Sequence, residues 1–185
     1  MMSFIFLIPI LIIAAIVYLV VRRRDAEDGS SAYHVLISYF YFVTGACVIL
    51  LTVGIVLLLR VAFHQAYGGG SIGDTIALGL TLAGTGAIIG GLHVFGRIAL
   101  EKKDIKATRT IRRVYLFFML LVFSVSGLIA LPFAIYAFAH YYIEGSGHWE
   151  DPSAPLATAV VVVPMWIYYL MRVMRETRAN KKEAS

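Results

Sequence analysis

Between Tyr33 and Leu59 the chain reads YHVLISYFYFVTGACVILLTVGIVLLL, with no Asp, Glu, Lys or Arg. A transmembrane helix needs about 20 apolar residues, so this run is long enough to cross a bilayer and to tilt or project beyond it. Cutting the whole chain at its charges yields four more such runs: Phe4–Val21, Thr75–Gly96, Val114–Ile143 and Leu156–Met171. Each is read as a helix, because an open chain in hydrocarbon must satisfy its own backbone groups, and the alternating pattern of a barrel strand is absent. Pro164 interrupts the last run, which is also the shortest, and Arg172 and Arg175 extend it by snorkelling.

The composition agrees. Of 185 residues, 60% are hydrophobic and 15% charged, against about a quarter charged in soluble domains. Mean hydropathy is +0.82. Short loops leave no room for a soluble catalytic domain. The single Cys47 excludes an intramolecular disulfide and a cysteine metal cluster.

Charge sets the expected orientation. The first apolar run lacks a positive leader and is followed by Arg22, Arg23 and Arg24, the mark of a retained anchor with its N-terminus outside. Five spans then place three basic segments on the cytoplasmic side: Arg22–Arg24, Lys102 to Arg113 and Arg172 to Lys182. Arg97 falls just inside that boundary, and only Arg60 lies near the other. The expected architecture is all-α, five transmembrane helices, N-out and C-in. Residues 1–32 form the anchor and linker, 33–175 a four-helix domain, and 176–185 a basic tail. The charge of +5 thus belongs to topology and lipid contact, with no nucleic-acid motif beside it. Lys102, Lys103, Lys106, Arg109, Arg112 and Arg113 are the expected contacts to anionic headgroups.

Local signals mark the boundaries. Gly68–Gly70 is a flexible turn, Ser71 and Asp74 fit a cap for the next helix, and Pro152 and Pro155 punctuate the approach to the last one. Tyr67, Tyr141, Tyr142 and Trp149 suit an outer aromatic belt, with Tyr33 and Tyr115 at the inner edge. Pro9 and Pro132 are expected to kink their helices.

Tyr33 is followed twelve residues on by Gly45, and Tyr115 by Gly127; Gly91–Arg97 also aligns with Trp166–Arg172. The pattern predicts a duplicated hairpin, residues 33–101 and 114–175, related by a pseudo-twofold along the membrane normal. Chance alignment of apolar helices is the competing account. The start of the second run (Ala32 to Leu36), Gly91-Leu92-His93, and Arg112 to Phe117 together resemble a bacterial family of unknown function built as four transmembrane helices in two hairpins. The resemblance covers roughly Tyr33 to Arg175, implies a bacterial inner-membrane location, and brings no established activity; the N-terminal anchor is an addition to it.

Gly79, Ala83, Gly86, Gly90, His93 and Arg97 recur at 4-3-4-3-4 spacing, so they share one helix face, and Gly86–Gly90 is a GxxxG element. Two readings stand: packing against a neighbouring helix of the same chain, or docking onto another subunit. The functional expectation is a non-catalytic accessory subunit of a larger membrane complex, packing through this face. The alternatives are a redox anchor in which His93, with His34, holds haem b or a quinone, and a small transporter or channel. His64, Asp74, His140, Glu144, His148, Glu150 and Asp151 have metal-donor chemistry but no ligand spacing, so no metal site and no catalytic residue is assigned.

Overall fold

The computed structural model describes residues 31–67, 69–70, 72–101, 105–144 and 152–183. The run Phe4–Val21 and the cations Arg22–Arg24 lie outside the described residues, as do Lys102, Lys103, His148, Glu150 and Asp151. Four α-helices make up the described chain: α1 Ser31–Ala66, α2 Gly73–Glu101, α3 Ile105–Glu144 and α4 Ser153–Glu183. All four are long and apolar enough to cross a membrane. Their outward surface is apolar, with Leu128, Ile143 and Phe95 each more than 75% exposed. An aqueous fold could not carry so continuous an apolar exterior.

The helices outrun the apolar stretches. α3 begins at Ile105, nine positions before Val114, so the basic segment is the helix's own first turns. α4 runs through Pro164 to Glu183, well beyond Met171. The short, interrupted span expected there is thus corrected to one continuous helix. Proline removes only its own bond to the carbonyl four residues back, while hydrocarbon penalises every alternative backbone. Pro155 sits in the first turn, where its missing N–H has no intrahelical acceptor. Ser71, the expected cap of α2, lies outside the described residues; the Ile72 carbonyl accepts the helix's first bonds, from Thr75 and Ile76. Asp74 lies in that first turn, where its charge complements the helix dipole.

α1 and α2 form one antiparallel hairpin and α3 and α4 another, with α1 packing on α4 and, less extensively, on α3. Order across the bundle follows: α2 is an edge helix resting on α1. The first hairpin closes where the Gly69 N–H reaches the His64 carbonyl at 2.8 Å, with the His64 ring lying over Gly69. A Cβ at Gly69 would stand 2.2 Å from the imidazole, so any larger residue there requires the His64 ring to swing aside.

Small residues set the α1–α2 contact. A Cβ on Gly86 would lie 2.7 Å from the Leu51 nitrogen and 2.8 Å from the Cys47 oxygen; one on Gly54 would lie 2.4 Å from the Ala83 nitrogen. Gly79 meets Leu58, Gly90 meets Cys47, and Gly96 holds the Phe40 ring. The glycine-rich face of α2 is therefore occupied by α1, the first of the two readings. Backbone approach at this distance multiplies dispersion contacts, the main source of helix association where lipid tails remove the hydrophobic drive.

The second hairpin changes character along its length. Near the basic end, Leu116, Met119, Phe123, Val162 and Tyr169 form a large-side-chain core; farther along, α3 and α4 meet through Ala130, Ala134 and Ala159. Hydroxyls inside the spans bond back to their own helices, as Thr44 does to Phe40 and Thr52 to Val48, both at 2.7 Å.

Candidate functional site

Two places hold the polar side chains. At the basic end, Arg97 and Glu101 share a face of α2 at i,i+4 spacing, with Nε and Oε1 3.3 Å apart. Tyr41 of α1 donates its hydroxyl to Glu101, and the Arg97 guanidinium stands 4.8 Å from the centre of the same ring. An intramembrane cation needs an anion or dipoles around it, and here it has a carboxylate and an aromatic face. The contact continues through rings: Tyr41 to Tyr115 at 5.2 Å, and Phe123 stacked on Tyr169 at 5.5 Å. The Tyr115 and Tyr169 hydroxyls lie 3.2 Å apart. One polar chain thereby links α2, α1, α3 and α4. Tyr33 adds to it, donating to the Leu100 carbonyl at 2.9 Å and lying 3.1 Å from the Thr108 hydroxyl.

His93 belongs to this end. Its Nδ1 lies 2.8 Å from the Ile89 carbonyl, which can only accept, so Nδ1 carries the proton. Nε2 is then the acceptor for the Tyr39 hydroxyl at 3.4 Å, and the rings of Tyr39 and Phe40 pack beside it. His34 is not brought to it. Tyr33 meets Leu100 while Tyr39 meets His93, so His34 stands about 8 Å along the axis from His93 at 1.5 Å per residue.

The headgroup candidates are also partly engaged. Arg112 bonds Glu176 of α4, which makes it a tie between helices. Arg113 lines a small apolar recess with Leu116, Val173 and Glu176. Arg109 and Lys106 lie on the first turns of α3.

The second place is a cavity of about 950 Å³ at the opposite end, between α1 and the α3–α4 hairpin. Its origin is in register. α1 and α3 run parallel: Tyr41 faces Tyr115, Gly45 faces Met119 and Tyr67 faces Tyr141, each pair 74 positions apart. The helices touch near the basic end, where Gly45 admits the Met119 sulfur, and again where the Tyr67 and Tyr141 rings lie 5.0 Å apart. Between these contacts α3 presents alanines to α4, and the gap toward α1 is left unfilled. Arg60 and His64 line it from α1, with Tyr136 and His140 from α3. His64 and His140, two of the metal-donor candidates, thus share one cavity. Asp74 is exposed at the start of α2, and no group of three or more donors forms among the described residues.

Sequence reasoning missed Glu101 and Tyr41. The i,i+4 spacing of Arg97 and Glu101 was a usable signal; nothing linear connects Tyr41 to either.

No family model matches the chain, and neither a curated protein nor a solved structure does.

Proposed function

We propose that this chain is a non-catalytic membrane subunit that joins a larger membrane assembly through α2. The observation that carries the reading is the second face of that helix. Among the described residues, nothing lies within 4 Å of a Cβ built at Gly84 or Gly91, and Ile88, Leu92 and Phe95 beside them are 67–76% exposed. Gly84 and Gly91 stand on the side of α2 away from α1. Glycine weakens a helix interior by about 1 kcal/mol against alanine, and on a lipid-facing surface nothing offsets that. A second helix approaching closely would offset it, as α1 does on the first face. The docking surface is therefore the Gly84–Gly91 face, with the Gly79–Arg97 face reserved for α1.

The basic end faces the cytoplasm of a bacterial inner membrane by the positive-inside rule, N-out and C-in, with Phe4–Val21 as a fifth span. The two hairpins are read as a duplicated unit on the sequence pattern, Tyr33 to Gly45 with Tyr115 to Gly127 and Gly91–Arg97 with Trp166–Arg172. No reaction is assigned to it.

Affinity purification of the full chain in mild detergent, with mass spectrometry of co-eluting polypeptides, tests the reading. Wild type should bring down a stoichiometric partner that Gly84→Leu with Gly91→Leu loses, while the double variant still folds. Purification of wild type without a partner, or an unchanged partner with the double variant, would overturn it.

A further inference from the structure

The cavity between α1 and the second hairpin is independent of the α2 docking face, and its lining is graded. The 74-residue register sets Arg60 level with Ala134 and His64 level with Phe138. Arg60, His64, Tyr136 and His140 therefore occupy the portion nearer the Tyr67–Tyr141 contact. Below Arg60 the walls are Ile129 and Phe133, down to Ser126. From His140 to Ser126 is about 21 Å at 1.5 Å per residue, the scale of one leaflet with its headgroup region. The volume lies within the range of small-molecule sites, about 300–1,000 Å³.

Arg60 decides the ligand's charge. It is exposed to the cavity and makes no ion pair among the described residues, whereas Arg97 and Arg112 both have carboxylates. It also stands about 10 Å below the Tyr67–Tyr141 contact by helical rise, where an uncompensated guanidinium is unfavourable and an anion beside it is strongly favoured. Arg60 is the one cation that the charge pattern leaves at this end.

We propose that this cavity binds one anionic phospholipid, the phosphate paired with Arg60 and an acyl chain lying along Ile129 and Phe133. The guanidinium's paired N–H groups match two phosphate oxygens, and the graded wall matches a head joined to a tail.

The test is native mass spectrometry of the full chain in a neutral maltoside detergent, titrated separately with dioleoyl phosphatidylglycerol, dioleoyl phosphatidylcholine and inorganic phosphate. Wild type should bind one equivalent of phosphatidylglycerol in preference to phosphatidylcholine. Arg60→Gln should weaken it about tenfold or more, the worth of one charge-assisted hydrogen bond. Arg60→Lys should recover part of the loss, and Arg172→Gln, at the opposite end, should bind as wild type does. Ala137→Phe, which fills the cavity, should exclude the lipid without touching the cation. Three results would each overturn the proposal: equal binding of the two lipids, wild-type binding by Arg60→Gln, or Arg60-dependent binding of inorganic phosphate without lipid. Should Ala137→Phe fail to fold, the Arg60 pair decides alone.

Discussion

Gly86→Ala and Gly84→Ala place the same methyl group on the same helix, two residues apart, with opposite surroundings. At Gly86 the new carbon would sit 2.7 Å from the Leu51 nitrogen and 2.8 Å from the Cys47 oxygen, both backbone atoms that no side-chain rotation can move. Relief requires α1 and α2 to part by about 0.7 Å, to reach ordinary contact near 3.4 Å. A gap of 0.5–1 Å forfeits about a quarter to a half of each dispersion contact it opens. At Gly84 the methyl meets nothing within 4 Å among the described residues. Both substitutions carry the same gain in helix propensity, so their difference isolates packing. That difference should be about 1–3 kcal/mol, the usual range for over-packing, or about a 5- to 150-fold change in the folded-to-unfolded ratio. SDS titration in mixed micelles, followed by tryptophan fluorescence, measures it. Cys47 supplies a local check, since it is buried under Gly90 and its maleimide reactivity should rise in Gly86→Ala alone. Equal stability of the two variants would refute the close α1–α2 seam.

Two further outcomes follow from the polar contacts. Tyr41→Phe removes the hydroxyl given to Glu101 and should destabilise the protein by about 1.5–3 kcal/mol, as for a bond to a charged group; Tyr39→Phe, whose 3.4 Å contact with His93 is long and exposed, should shift stability by less than about 0.5 kcal/mol in the same titration. The Arg112–Glu176 pair is 43% exposed on the arginine side, so a double-mutant cycle with Arg112→Gln and Glu176→Gln should give a coupling of only about 0.2–1 kcal/mol that falls with added salt; a salt-independent coupling well above that range would contradict a solvated tie.

Charge and hydropathy alone placed the four described helices, because hydrocarbon leaves a chain segment few backbone choices and the helix is the local one. The spacing of Gly79, Gly86 and Gly90 named the face of α2 that makes close contact, since side-chain direction around a helix is fixed by rotation per residue. Helix ends were less legible. Hydropathy sees only the part that lies in hydrocarbon, while the Ala-, Arg- and Glu-containing flanks of α3 and α4 are good helix formers and simply continue. Tertiary structure alone decided which helix fills the glycine face, which partner Arg97 finds across the bundle, and where α1 leaves α3. In lipid an apolar side chain gains nothing by pointing inward, so pairings are chosen by steric fit between distant segments. Met119 against Gly45 and Tyr67 against Tyr141 are such fits, 74 residues apart, and the cavity holding Arg60 exists only because both are made and the space between them is not filled.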